Sequence, residues 1–208
     1  IVSYIKPIDR YNITRFLMAH KEYTSSSSSF NNKKSPGNLI EINKPKFFMA
    51  INPALQYGMD NFLKDAQMCG IDGVIIPDLP MYEYEAFYKK KFEQYNLQNI
   101  FLVTPQTNEE RIHKIDALSD AFIYIVSSNA ITGGNSDIAA TQKQYFQRIK
   151  NMSLKNPTVI GFGIKDKTTF DTACEYSNGA IIGSAFVQAI DGSKELKNDI
   201  QQFIQSII

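Results

Sequence analysis

The sequence predicts an α/β protein built on a parallel sheet, and three observations lead there. From residue 46 onward, short runs rich in Ile, Val and Phe alternate with longer stretches. The runs are apolar throughout, as in strands covered on both faces, whereas a sheet with one wet face shows alternation. The longer stretches repeat apolar residues at three-to-four spacing, as helices do. The chain therefore reads as successive βαβ units with right-handed crossovers. A barrel and an open doubly wound sheet both satisfy this pattern.

Six strands are expected, at 47–51, 73–76, 100–103, 121–126, 158–160 and 180–182. Among the helices, Thr107 with Glu110 has the spacing of a capping box ahead of Ile112, Ile115 and Leu118. After Lys165, the residues Phe170, Ala173 and Cys174 fall on one helical face. The last helix, about 194–208, carries Leu196, Ile200, Phe203, Ile204 and Ile207 as a stripe. Cys69 and Cys174 each sit in a helix-like apolar pattern and read as reduced core thiols, with no disulfide and no metal site expected.

Residues 1–45 behave differently. Apolar residues are scattered over 1–23 without a clear period, and Thr24 opens a tract with serine at 25–29 followed by Asn31, Asn32, Lys33 and Lys34. That tract is too polar to pack, and a mobile loop is expected there. The expected organisation is an atypical, partly disordered stretch over 1–45 followed by one phosphate-binding βα domain over 46–208.

A chain of 208 residues with 43% hydrophobic content can bury one sizeable core. Its net charge of +1, from 22 basic and 21 acidic side chains, gives no field to steer it onto nucleic acid or an anionic membrane. No run approaches the roughly 18 apolar residues of a membrane helix, and the start lacks the order of residues in a signal peptide. A cytoplasmic protein is expected.

In either architecture, ligands collect beyond the C-terminal ends of the strands. Two such ends are rich in glycine: Gly161, Phe162 and Gly163 after the fifth run, and Gly183 with Ser184 after the sixth. Small residues let backbone N–H groups close on an anion, and a helix starting just beyond adds its positive end. Phosphate is the ligand such neighbouring loops suit. Thr132, Gly133 and Gly134 offer a third donor loop within the polar segment 127–137, which has the character of a lid. Asp78, flanked by Pro77 and Pro80, fits a general base or a residue that caps the next helix or pins its loop, and the structural role is the expected one. Tyr124 lies in a strand and either points into the mouth or stays in the core with a satisfied hydroxyl. His113 falls on the polar side of its helix and His20 in the stretch without a period, so neither is expected to act.

Five segments then stand out together: NPALQYGMDNFLKDAQMCGIDGVIIPDLP (52–80), LVTPQTNEERIHKI (102–115), FIYIVSSNAITG (122–133), GFGIKDKTTF (161–170) and GAIIGSAFV (179–187). In this order, over about 45–208, they resemble the tryptophan synthase alpha subunit family, with GIDGVIIPDLP the most distinctive. The resemblance implies a (β/α)8 barrel of the TIM type, incomplete at its N terminus, in which the six runs are the third to eighth strands. It implies a carbon–oxygen lyase of tryptophan biosynthesis that cleaves indole-3-glycerol phosphate to indole and glyceraldehyde 3-phosphate by a retro-aldol reaction. The family's phosphate loops fall on Gly133, Gly163, Gly183 and Ser184, and its substrate pocket on Phe48, Ile75, Pro77, Tyr124, Thr132 and Phe162. No cofactor is implied for this half-reaction. Pyridoxal phosphate is expected only in a partner beta subunit, in an alpha2-beta2 assembly, with the loops at 52–58 and 78–80 toward that partner.

The retro-aldol step asks for two carboxylates, one to move protons and one to hold the indole nitrogen as it gains positive character. In the family these are a glutamate on the second strand and an aspartate in a PFSDPLADG-like loop, and neither motif occurs here. Glu41 stands too close to Phe47 to leave the roughly ten or more residues that a parallel crossover needs. No catalytic residue is therefore assigned, and a non-catalytic alpha-like subunit that binds phosphate ligands and a beta subunit is the alternative. Ala50 stands where the family usually carries a tyrosine. The abrupt boundary near Pro45, the serine run and the start at Ile1 are what a frameshifted or misassembled upstream segment would leave. An uncovered edge at Phe47 would then favour aggregation. Indole-3-glycerol phosphate synthase needs a catalytic lysine at a strand end, and the later strands hold none.

Overall fold

A parallel strand is buried on both faces, so the short apolar runs that mark it in the sequence also mark where neighbouring strands pair. The computed structural model describes residues 46–127 and 136–207. His20, Glu41, the serine tract, and Thr132, Gly133 and Gly134 of the expected lid lie outside those residues. The chain divides into two units, one holding residues up to Phe101 with Leu118–Ala121, the other holding Leu102–Ala117 and the chain from Phe122.

In the first unit, β1 (Lys46–Phe48), α1 (Ile51–Tyr57), α2 (Met59–Met68) and β2 (Gly73–Ile75) are followed by α3 (Met81–Glu83), a π-helical turn (Tyr84–Tyr88), α4 (Lys89–Gln94) and β3 (Gln98–Asn99). The sheet order is β1-β2-β3, all parallel, with Phe47 opposite Val74 and Val74 opposite Asn99. Phe47 meets Phe62 of α2 with ring centroids 6.0 Å apart, and Tyr84 sits edge-on to Phe92 and Phe101. These rings, with Leu63, Val74 and Ile100, are buried and form the core of this unit.

The second unit contains β4 (Leu102–Val103), α5 (Glu109–Leu118), β5 (Ile123–Val126), α6 (Ser136–Asn151), β6 (Thr158–Gly161), α7 (Lys167–Tyr176), β7 (Ala180–Ile181), α8 (Ser184–Ile190) and α9 (Leu196–Ile207). Its sheet order, β4-β5-β6-β7, is again parallel throughout. Side chains tie the helices to the strand ends. Tyr145 donates its hydroxyl to the Val103 carbonyl at 3.0 Å, and Arg148 donates to the carbonyls of Pro105 and Thr107. Asp116 of α5 accepts from the backbone N–H groups of Lys155 at 2.8 Å and Asn156 at 2.9 Å, fixing the turn that feeds β6.

Each of the six apolar runs contains a strand, with three differences of detail. The first run ends its strand at Phe48, because Ile51 already opens α1 and stays apolar as a buried helix residue. The third run supplies only β4. Just ahead of it, Gln98 and Asn99 form β3, which escaped the apolar pattern because both side chains are polar. The expected capping box is displaced by one residue: Asn108 Oδ1 accepts from Arg111 N at 2.9 Å, while the Thr107 hydroxyl accepts from Thr104 N. A capping box does form at α7, between Asp166 and Thr169.

Cys69 is buried as expected, but Cys174 is exposed, because only Ala173 of the expected α7 face is fully covered. On α9, Ile207 is buried and Phe203 packs edge-on against Phe186 at 5.5 Å, whereas Leu196 and Ile204 each remain 48% exposed. His113 is exposed on α5, as its polar neighbours predict.

Candidate functional site

The register of the second sheet places Gly161 opposite Ile181, so the ends of β6 and β7 lie side by side. Gly163 and Gly183 each follow two residues beyond that pair. The two glycine loops singled out in the sequence are thus neighbours.

Tyr124, in β5, stands opposite Leu102 on one side and Val159 on the other. Its side chain is buried and lies across Gly161, where an added methyl group would overlap the phenol. Gly161 is therefore required by close approach rather than by a turn. Burial pushes the Tyr124 phenol up to about 12. The ring of Phe162 lies 5.8 Å from that of Tyr124 and is 45% exposed, so the pair presents an aromatic wall with one open side. A flat apolar group can stack against it.

The loop beyond β6 is held by a residue that sequence reading passed over. Ser127 is buried; its N–H donates to the Gly161 carbonyl at 3.0 Å, and its hydroxyl is within bonding distance of the carbonyls of both Gly161 and Phe162. Phe162 and Gly163 follow with φ of 69° and 73°, a left-handed pair that is ordinary for glycine and costly for phenylalanine. The only trace of Ser127 in the sequence is the first of two serines after an apolar run, at the head of the segment expected as a lid.

The helix beyond this loop does not offer a vacant positive end. Asp166 Oδ1 accepts from Thr169 N at 2.9 Å, so α7 is capped by its own carboxylate, which that bond and the Thr169 hydroxyl hold below the usual aspartate range. The anion contact expected after β6 would therefore fall to the loop amides and not to the start of α7. Beyond β7, Gly183 is the residue ahead of α8 and Ser184, exposed, is its first residue.

In the first unit, Phe48 pairs in register with Ile75, the former half-buried and the latter buried, and Pro77 is exposed beyond β2. Asp78 Oδ1 accepts from Ile51 N at 2.8 Å. The residue ahead of α1 is Ala50, which has no side chain to cap with, and the carboxylate from the neighbouring strand end takes that place. Asp78 thus has a structural role, as expected, but the helix it serves is α1 and not the next one in the chain. Among the described residues no group of His, Cys, Asp or Glu is arranged to hold a metal ion, and no helix is long and apolar enough to cross a membrane.

A family model for the tryptophan synthase alpha chain matches residues 40–207. The tryptophan synthase alpha chain of Christiangramia forsetii is 50% identical over 174 residues, which are 83% of this chain and 67% of that one. Its counterpart from Flavobacterium psychrophilum is 51% identical over 156 residues, 75% of this chain and 61% of its own length. Among solved structures, tryptophan synthase subunit alpha from Campylobacter jejuni is similar with a TM-score of 0.68 at 25% identity, over 97% of this chain and 72% of that one. The chain thus spans 61 to 67% of these two curated relatives. The likeness bears out the α/β class of TIM-barrel type that the sequence implied.

Proposed function

The chain belongs to the tryptophan synthase alpha chain family, and from that premise we propose that it serves the cleavage of indole-3-glycerol phosphate to indole and glyceraldehyde 3-phosphate. The observation that carries this is the side-by-side placing of the β6 and β7 glycine ends next to the Tyr124–Phe162 wall. The amides of Gly163 and Gly183 with the Ser184 hydroxyl suit a phosphate, and the aromatic wall suits an indole. Gly133 and Thr132 are assigned to the same two ends of the substrate by their place in the family's motif. Phe48, Ile75 and Pro77, in the first unit, are assigned to substrate binding by their place in the family's motif alone.

Cleavage breaks the bond between indole C3 and the glycerol chain, with a proton delivered to C3 and one withdrawn from the glycerol hydroxyl. None of the residues assigned here moves those protons. Asp78 is committed to the α1 backbone, and Tyr124, pushed up to about 12, stays neutral near pH 7 and serves as a wall and hydrogen-bonding group. No cofactor is assigned to this chain. The proposed partner is a beta subunit carrying pyridoxal phosphate, in a cytoplasmic alpha2-beta2 assembly. Residues 52–58, expected as a loop, are helix α1 and its cap Gly58, and together with the loop at 78–80, joined to it through Asp78 and Ile51, they form the proposed partner-facing surface.

Two measurements on the purified chain test the proposal: calorimetric titration with glycerol 3-phosphate, and indole release from indole-3-glycerol phosphate. Binding with release supports the lyase. Binding without release reduces the chain to a non-catalytic subunit that holds phosphate ligands, and absence of binding overturns the site itself.

A further inference from the structure

We propose that Ser127 is a positioning residue that locks the Phe162–Gly163 peptide in its left-handed turn and thereby aims the Gly163 amide at the phosphate. The inference rests on the phosphate site proposed above and deepens it. Its basis is an accounting of protons around one buried hydroxyl. The Gly161 carbonyl already accepts the Ser127 N–H at 3.0 Å, and the hydroxyl oxygen lies 2.9 Å from the same carbonyl. The Phe162 carbonyl is the second acceptor within reach of the hydroxyl. A hydroxyl has a single proton to donate, so that proton goes to Phe162.

The consequence follows from peptide geometry. In a trans peptide the C=O and the next N–H point to opposite sides. With the Phe162 carbonyl held on Ser127, the Gly163 N–H is turned away from Ser127, and the Phe162 ring is left against Tyr124. Without the hydroxyl, a phenylalanine at φ 69° has a local incentive to leave the left-handed region, and the peptide turns with it. A bond from β5 thus sets a donor that belongs to the loop after β6.

The test combines a stability cycle with a ligand titration. Ser127→Ala is expected to lower Tm by roughly 3 °C, as loss of one buried hydrogen bond does in a chain of this size. In a Phe162→Gly background, where the left-handed turn is free of strain, the same substitution should lower Tm by less than half as much. Well below its Tm, Ser127→Ala should bind glycerol 3-phosphate about tenfold more weakly, and Ser127→Thr, which keeps the donor, should restore most of that loss. Equal Tm shifts in the two backgrounds overturn the proposal, as does unchanged affinity in Ser127→Ala. Should Ser127→Thr fail to fold, the cycle and the alanine titration still decide. If the cycle shows coupling but the unsubstituted chain does not bind glycerol 3-phosphate, the phosphate site is wrong while the hold on Phe162 stands.

Discussion

At the end of β6, Gly161 lies beneath the Tyr124 phenol, Ser127 grips the next peptide, and Phe162 and Gly163 are held left-handed. At the end of β7, Gly183 has φ of −109°, a side chain built there meets nothing within 4 Å, and α8 beyond it has no fully buried residue. The two loops carry the same small-residue signal and are paired neighbours, yet one is locked and the other is open. Donors fixed before a ligand arrives lose little freedom when it binds, whereas an open loop must be ordered by the ligand. If the proposed phosphate site is right, the β6 loop should set its geometry and the β7 loop should adapt to the ligand.

The comparison breaks first at Gly161. Gly161→Ala forces a methyl group into a buried phenol and should destabilise the chain by about 3 kcal/mol, the upper range for an overpacked core, read as a lowered denaturation midpoint. The same variant should release Tyr124. In the parent chain the phenol, pushed up to about 12, stays neutral where an unfolded tyrosine ionises near 10. Its contribution to stability is complete below pH 10 and lost as the pH rises from about 10 to about 12. A phenolate absorbance titration of Gly161→Ala should move that transition back toward 10; an unmoved transition with unchanged stability would show that the phenol does not need the glycine.

A somewhat smaller effect is expected where β6 begins. Asp116→Ala leaves the N–H groups of Lys155 and Asn156 without their acceptor and should cost about 2 kcal/mol. Burial acts to raise this carboxyl, but the bonds from Lys155 and Asn156 win and hold it below its ordinary value. The stabilisation is therefore present above about pH 4 and lost as the pH falls through the lowered value. Stability curves of the parent and the variant should converge in acid. If Asp116→Ala weakens glycerol 3-phosphate binding as much as Ser127→Ala does, the lock lies in β6 as a whole and not in its terminal loop.

The sequence made part of this legible, for physical reasons. Strands buried on both faces leave an apolar run, so β2, β5 and β6 stand out, whereas β3 does not, because Gln98 and Asn99 are polar and Asn99 is nonetheless buried. Glycine leaves a residue-type trace, which exposed both candidate anion loops. The phenol over Gly161 and the hydroxyl on Phe162 leave none, since contacts between neighbouring strands follow from register and not from spacing. Thr107 and Asn108 are both good caps, so the start of α5 was found to within one residue. Periodicity placed Cys174 on an apolar face without indicating where the covered stripe ends.

In the first unit, Asp78 works as Ser127 does: a side chain beyond one strand fixes a backbone group beyond its neighbour. Asp78→Ala should cost about 1 kcal/mol, the usual value of a lost N-cap, and Asp78→Asn, which keeps an acceptor, should cost less. Amide exchange at Ile51 is the local readout. Faster exchange in the alanine variant with near-parent exchange in the asparagine variant identifies a cap. Equal loss in both would mean that the carboxylate charge, and hence the helix dipole, is what matters.

Gly183→Ala should produce the smallest change. Its φ of −109° lies outside the left-handed region and there is space for a methyl group, so stability should stay within about 0.5 kcal/mol of the parent. If the loop adapts around the ligand, stiffening it before binding should leave glycerol 3-phosphate affinity within a fewfold of the parent, in contrast to the loss expected on the β6 side. A large loss of affinity without loss of stability would mean that the ligand approaches the Gly183 backbone as closely as the Tyr124 phenol approaches Gly161. The β7 loop would then be a second fixed wall, and the division between a locked and an adaptable loop would not hold.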